Sequence, residues 1–255
     1  MKGMKNNRER FYLIDTQDYS LYTCTVKKVA YPKLKKEKMK KILNIMAVYS
    51  VLLSFLVAMP TCVTAASDWQ LAIQKDGIEV STRPVKGSDF DEFMGSADID
   101  ASIDVVSAVL KDRPAATQWM ADCKESREIR KIDEHTSLQL NITKAPWPVS
   151  DREALCIITE KKDKKTGQIT YEFHEANDPS VPIGDGNVRM PEISGKWVLT
   201  PINRDKTKVV YTVKSNPGGS LPKSLANMKS KDIPYNTLLG LKMMVKKDKY
   251  KKAAK

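Results

Sequence analysis

Pro146-Trp147-Pro148-Val149-Ser150-Asp151-Arg152-Glu153, read with Asn216-Pro217-Gly218-Gly219-Ser220-Leu221-Pro222 farther along, decides how this chain folds. Neither stretch has the makings of a catalytic motif. The first is an aromatic turn stiffened by prolines, each of which restricts its own backbone and that of the residue before it. It delivers Arg152 into the apolar strand Ala154-Leu155-Cys156-Ile157-Ile158. A guanidinium entering such a strand requires partners. Glu153 points to the opposite face of the same strand and is poorly placed to pair with it. A structural ion pair is the expected role of Arg152, with a ligand headgroup as the alternative. The second stretch is a strand exit that opens the last helix, where Pro222 suits a first turn.

On either side of these stretches the elements alternate in type. Asp68-Trp69-Gln70-Leu71-Ala72-Ile73 reads as a short helix capped by Asp68 and closed by Asp76-Gly77. Ile78 to Arg83 alternates with the period of a half-buried strand, and Phe90 to Ile99 makes a second one. Helical spacing follows at Ile103, Val106, Val109 and Leu110, with Ala101 or Ser102 at its start, then a second short helix over Ala115 to Met120. Strands are expected at Glu128–Ile132, Ser137–Thr143, Ala154–Glu160, Ile169–Glu175, Asn187–Glu192, Lys196–Thr200 and Lys208–Lys214. Turn chemistry such as Lys164-Lys165-Thr166-Gly167 separates them. A last apolar-periodic helix runs from Leu221 to about Lys246, with Pro234 expected to kink or restart it and Asp232 to cap the second piece. The class is α+β. An antiparallel sheet wrapped around the C-terminal helix is the economical way to bury both.

The N-terminus stands apart. Ile42 to Met59 is almost uninterruptedly apolar, follows Lys35-Lys36-Glu37-Lys38-Met39-Lys40-Lys41 and precedes Thr61-Cys62-Val63-Thr64-Ala65-Ala66. That pattern describes a secretory signal over residues 39–66, cleaved near Ala65 or Ala66, with export to the periplasm or beyond. The alternative is an inner-membrane anchor through residues 42–59, since about 20 apolar residues span a bilayer. Under the signal reading Met39 suits an initiator and residues 1–38 are a surplus extension; under the anchor reading they lie in the cytoplasm.

Charge must be partitioned before it is interpreted. The whole chain carries +12, but residues 1–66 hold +8 and Lys246 to Lys255 hold +5, so Ser67 to Val245 is near −1. A nucleic-acid partner needs a basic face on the domain itself, and none is expected here. The Lys-rich tail over 247–255 reads as solvated, with anionic headgroups as the alternative contact. Of the four Cys, only Cys123 and Cys156 follow the cleavage site. They are left as buried thiols or as a pair.

The order of elements and the quoted motifs resemble START domains, the lipid-binding module of the steroidogenic-acute-regulatory-protein family, in the bacterial exported form and within the helix-grip superfamily. The resemblance runs from about Trp69 to Val245. Its pieces are Asp76-Gly77-Ile78-Glu79-Val80, Trp119, the Pro146–Glu153 stretch, Val188-Arg189, Gly195-Lys196-Trp197-Val198-Leu199-Thr200-Pro201, Pro217 to Pro222 and Pro234-Tyr235-Asn236-Thr237-Leu238. It implies a helix-grip fold over 67–246: a curved antiparallel sheet around the C-terminal helix, with two short helices inserted after the first strands. It also implies an apolar cavity gated by that helix and by the loop Lys144–Asp151, with no metal or organic cofactor. The candidate cavity and lid residues are Trp119, Trp147, Arg152, Arg189, Tyr211, Leu225, Met228, Leu238 and Leu241. The buried acid and Arg of sterol-carrying members fall, by gap-free count, on Gln139 and Ile158, so a sterol is not implied here.

Catalytic patterns are sparse. His135 and His174 lie in separate polar contexts, and no Cys/His cluster has metal spacing. Gly218-Gly219 is isolated rather than part of a phosphate loop. The expectation is a monomeric, non-enzymatic carrier of one lipid or hydrophobic small molecule, in transient contact with a membrane surface. A cavity-bearing enzyme and a ligand-sensing module are the alternatives. Ligand identity and direction of transfer stay open.

Overall fold

A computed structural model describes residues 68–221 and 223–253, together with the strand pair Tyr12–Leu13 (β1) and Tyr22–Thr23 (β2). The chain divides into Met1–Ala65 and Ala66–Lys255. Apart from β1 and β2, the extension over 1–38 and the export signal over 39–66 lie outside the described residues, and Pro222 lies outside them too.

The second unit is built on one ten-stranded sheet. Its strands are β3 (Gln70–Lys75), β4 (Ile78–Arg83), β5 (Glu92–Ile99), β6 (Cys123–Lys131), β7 (Thr136–Thr143), β8 (Arg152–Lys162), β9 (Ile169–Glu175), β10 (Val188–Arg189), β11 (Glu192–Asn203) and β12 (Lys206–Asn216). The spatial order is β3-β4-β5-β12-β11-β9-β8-β7-β6, antiparallel throughout. β10 stands apart and pairs in parallel with the first residues of β8, where β9 no longer reaches. Between β5 and β6 sit α1 (Ile103–Lys111), capped by Ser102, and a 3-10 turn over Arg113–Gln118, capped by Asp112. α1 buries Val105, Val106, Val109 and Leu110, the apolar stripe its spacing announces. The chain closes with α2 (Lys223–Met244) and α3 (Asp248–Ala253).

Three expectations need correction. The stretch expected as a helix over 68–73 is instead β3, an edge strand whose side chains are mostly exposed. A bulge between Leu71 and Ile73 inserts Ala72, and the apolar spacing then mimics a helical stripe. β6 begins at Cys123, earlier than expected, because two bulges and its charged residues erase the period-two signal on this edge. α2 runs through Pro234 without a restart at Asp232. The Pro234 ring is buried and packed on Gly95 of β5, so tertiary contact offsets the hydrogen bond the helix loses.

The C-terminal half of α2 is the anchored half. Leu238, Leu241 and Met244 are essentially inaccessible in the main core, and Thr237 is buried as well. The helix comes so close to the 3-10 turn at Gly240 that a Cβ there would stand 2.2 Å from the Trp119 carbonyl oxygen. The segment expected as a solvated Lys tail extends this anchor. Tyr250 is buried and donates to Asp112 at 2.9 Å, beside Lys249 at 2.8 Å. Those two contacts with the Ala115 N–H hold the Asp112 carboxyl below its usual range, the Lys249 bond contributing most.

Candidate functional site: a lidded cavity and its anchor

The N-terminal half of α2 is packed differently. From Lys223 to Ile233 no described side chain is fully buried, whereas Pro234, Thr237, Leu238, Gly240, Leu241, Met244 and Val245 all are. Beneath this lighter half lies a cavity of about 190 Å³. Phe93, Tyr211 and Val213 line it from the sheet, Met190 and Ile193 from the β10–β11 corner, and Leu225, Ile233 and Thr237 from the helix. Tyr211 is part of a ring stack: it lies 3.8 Å from Trp197 in near-parallel contact and 5.5 Å from Phe93 edge-on. Trp119 meets Trp197 edge-on at 6.0 Å. Burial pushes the Tyr211 phenol well up, so it is a neutral wall of the cavity.

The polar side of the cup comes from an inversion in β7. Leu138 and Leu140 face outward, where Leu155 of β8 packs beside them and Val181 of the loop after β9 joins the cluster. The alternate side chains, Ser137, Gln139, Asn141 and Thr143, therefore line the interior. Asn141 Oδ1 is buried without a hydrogen-bond partner. Periodicity identified a half-apolar strand but could not say which face turns inward. Without knowing that the outer face is covered, the apolar side is the natural choice for the core.

Arg152 joins the start of β8 to the Pro217-Gly218-Gly219 turn. It is 7% exposed, and its Nε donates to the Pro217 carbonyl at 3.2 Å, Nη2 to Gly218 at 3.0 Å and Nη1 to Ser150 at 2.5 Å. The partners are main-chain carbonyls rather than the carboxylate expected. Gly218 and Gly219 are at φ 64° and 60°, a left-handed turn that brings these carbonyls back onto the guanidinium. Burial lowers the Arg152 pKa. The residue lines the cavity while tying the approach to α2 onto β8.

Glu153, on the outer face, is 1% exposed and holds a separate anchor. It accepts from Arg189 Nε at 2.8 Å, Asn187 Nδ2 at 3.1 Å and the Gly184 N–H at 3.0 Å. Burial alone would raise the carboxyl, but the three donors together outweigh it and bring it below its usual value. Asp151 closes the 144–151 loop: it pairs with Lys124 at 2.7 Å and accepts from the Ala145 N–H at 3.0 Å.

The candidate residues thus separate by location. Arg152, Tyr211 and Leu225 line the lidded cavity. Trp119, Leu238 and Leu241 are core beneath it. Arg189 faces Glu153 on the other side of the sheet and does not line the cavity. Trp147 is 93% exposed at the tip of its loop, and Met228 is 52% exposed on the lid. Phe93, Asn141, Thr143, Met190, Ile193 and Thr237 were not singled out as site residues by sequence, because they are scattered over several elements, with no more than two from any one. Gln139 and Ile158 line a different cavity, and neither is charged. Cys123 and Cys156 are both free. They sit on opposite sides of β7, two strand spacings or roughly 10 Å apart laterally, and their β7 partners Thr143 and Gln139 are offset along the strand as well, which puts them far beyond the ~7 Å reach of a disulfide. Burial pushes the Cys156 thiol up to about 12, leaving it an inert apolar wall.

Comparison with known proteins places this architecture. The START domain family model matches residues 64–248. An uncharacterized protein of Pseudomonas aeruginosa is 34% identical over 185 residues, covering 71% of this chain and 89% of that protein. The crystal structure of a STAR-related lipid transfer protein fragment from Xanthomonas axonopodis is also 34% identical, with a TM-score of 0.65, covering 71% of this chain and all of that one. Human StAR-related lipid transfer protein 5 superposes with a TM-score of 0.66 at 18% identity, over 79% of this chain and 94% of that chain, and so shares the fold.

Proposed function

The chain belongs to the START domain family, and we propose that it is a monomeric carrier taking one lipid or similarly apolar molecule into the lidded cavity at the cell envelope. The observation that carries this reading is the asymmetry of α2, whose lightly packed half roofs an apolar cavity while its other half is fixed in the core. At about 190 Å³ the cavity is smaller than the ~300–1,000 Å³ of typical small-molecule sites. Loading therefore requires the roof to move, and the lighter half of α2 is the part with the least packing to lose. Pro234, at the junction of the halves, supplies the natural hinge because its missing N–H leaves the helix one backbone hydrogen bond short there. Closure is driven by apolar burial, about 25 cal/mol per Å² removed from water.

Membrane contact follows from what stands beside the roof. Trp147 has almost no packing of its own, and an exposed Trp partitions into the interface between water and lipid. Met228 is half exposed on the lid, and Lys144 stands at the cavity rim facing anionic headgroups. Export through residues 39–66 delivers the domain to the compartment where such transfer takes place.

Native mass spectrometry of the full chain, purified from its own cell envelope without detergent, tests the reading. A one-to-one adduct that extracts into organic solvent supports a carrier and names the lipid class. An apo mass that persists after incubation with liposomes sinks it, and an adduct chemically altered over time points to a cavity enzyme instead.

A further inference from the structure

A second cavity, outside the lidded one, encloses about 260 Å³ where the end of α1, the 3-10 turn, the β6–β7 hairpin and the inward side chains of β7 to β9 meet. Several of its polar groups are already engaged. Lys111 pairs with Glu160 at 2.7 Å, Tyr171 shares a 2.7 Å hydrogen bond with Ser107, and Asp133 accepts from the His135 N–H at 2.7 Å. Two groups are not. Arg113 is half-buried and makes no direct hydrogen bond or ion pair among the described residues; burial lowers its pKa to about 10, although Tyr171 and the Glu128 carboxylate act the other way. Gln139 is 2% exposed; its Nε2 donates to Ser137 at 2.8 Å, while its Oε1 has no partner. Turning the amide over exchanges the end bonded to Ser137 and still leaves one end unpaired.

We propose that this cavity is a carboxylate-binding site, with the Arg113 guanidinium receiving both carboxylate oxygens and Gln139 bonding a polar group of the same molecule. The planar fork of Arg fits a carboxylate bidentately, and a half-buried cation without a partner is the group that gains most from an anion. Charge selects the kind of anion. Lys111, Arg113 and Lys131 are outnumbered by Glu128, Asp133, Glu134 and Glu160 around the cavity. The net negative surround opposes any anion in proportion to its charge, so a singly charged carboxylate meets about half the repulsion of a phosphate dianion and is the anion Arg113 can hold. The carboxylate comes from a small free acid or from the end of an amphiphile.

Calorimetric titration of the full chain with lactate, dodecanoate and dodecanol tests the site and its source. At least one carboxylate binds the parent chain and loses roughly tenfold or more in affinity in Arg113→Gln, while dodecanol binding does not change between the two chains. Lactate binding identifies a free acid as the source; dodecanoate without lactate identifies the amphiphile. The proposal is overturned if neither carboxylate binds the parent chain, or if Arg113→Gln binds them equally well. Should that variant not fold, the Arg113 Nε–Hε resonance of the parent chain provides the reading. It shifts on carboxylate saturation, and a stationary signal overturns the site. Dodecanol reports apolar loading independently, so a failed carrier and a failed carboxylate site give different results.

Discussion

Replacing Pro234 by Ala isolates the hinge. Pro in a helix interior is about 3 kcal/mol less favourable than Ala. The buried ring also packs on Gly95, and truncating it removes two methylenes, at about 0.8 kcal/mol each. The net expectation is stabilisation by roughly 1.4 kcal/mol, or a rise in Tm of about 3–6 °C for a domain of this size. Ala also restores one backbone hydrogen bond at the junction of the two halves, and opening the lid must then break it. That bond contributes about 0.5–1.5 kcal/mol net, so lid opening slows roughly two- to tenfold. The assay is stopped-flow uptake of a fluorescent fatty acid from vesicles by the full chain, alongside a thermal melt. A higher Tm with slower uptake supports the hinge. A higher Tm with uptake at the parent rate refutes it, because the helix would then have been stiffened where nothing moves.

Other perturbations probe the anchors. Arg152→Met leaves the Pro217, Gly218 and Ser150 carbonyls without their donor and should destabilise by about 2–4 kcal/mol in urea unfolding, with faster ligand release; an unchanged midpoint contradicts the anchoring role. Gly240→Ala opposes a helix-propensity gain of about 1 kcal/mol to a backbone clash with the Trp119 carbonyl, and a net loss of about 1–3 kcal/mol is expected. A stabilised Gly240→Ala would mean that the approach of α2 to the 3-10 turn is looser than described. Trp147→Ala should move stability by less than about 0.5 kcal/mol, since the ring is exposed, yet weaken co-sedimentation with vesicles; unchanged vesicle binding removes the membrane-tip role. Acid should weaken the fold. Glu153, Asp151 and Asp178 (Asp178 at about 2, held by Ser180 and then Arg130) all titrate below their usual values in the folded state. The unfolded chain therefore takes up protons first, and the stabilisation present above the ordinary carboxylate range is lost between about pH 5 and pH 2. Urea midpoints that are equal at pH 7 and pH 3 would contradict this, and Glu153→Gln should flatten the slope.

The two opening stretches show how far local sequence reaches. The prolines, the glycine pair and the Arg–Glu alternation were legible because each acts through its own backbone, and they located the approach to α2, the 144–151 loop and the strand entrance. The strand series and the α2 stripe were legible for the same reason. Edge strands were not. β3 and β6 carry bulges and charges that erase a period-two signal, and their pairing partners lie elsewhere in the chain. Site residues divided similarly. Arg152 stood out as a charge in an apolar strand, whereas Arg189 and Met228 looked equivalent to cavity residues until the sheet turned Arg189 to its outer side and the packing of α2 left Met228 half exposed.

By itself, the sequence determined the fold class, the order of most elements after the first strand and the points where the backbone must turn, since propensity, proline restriction and left-handed glycines are properties of a residue and its neighbours. Tertiary structure alone decided which face of β7 turns inward, that Arg152 holds carbonyls rather than a carboxylate, and that Arg113 and Gln139 are left with unpaired groups around one cavity. Those outcomes depend on what covers the other side of a strand or stands across a cavity, and that partner is distant in sequence, where no local periodicity can reveal it.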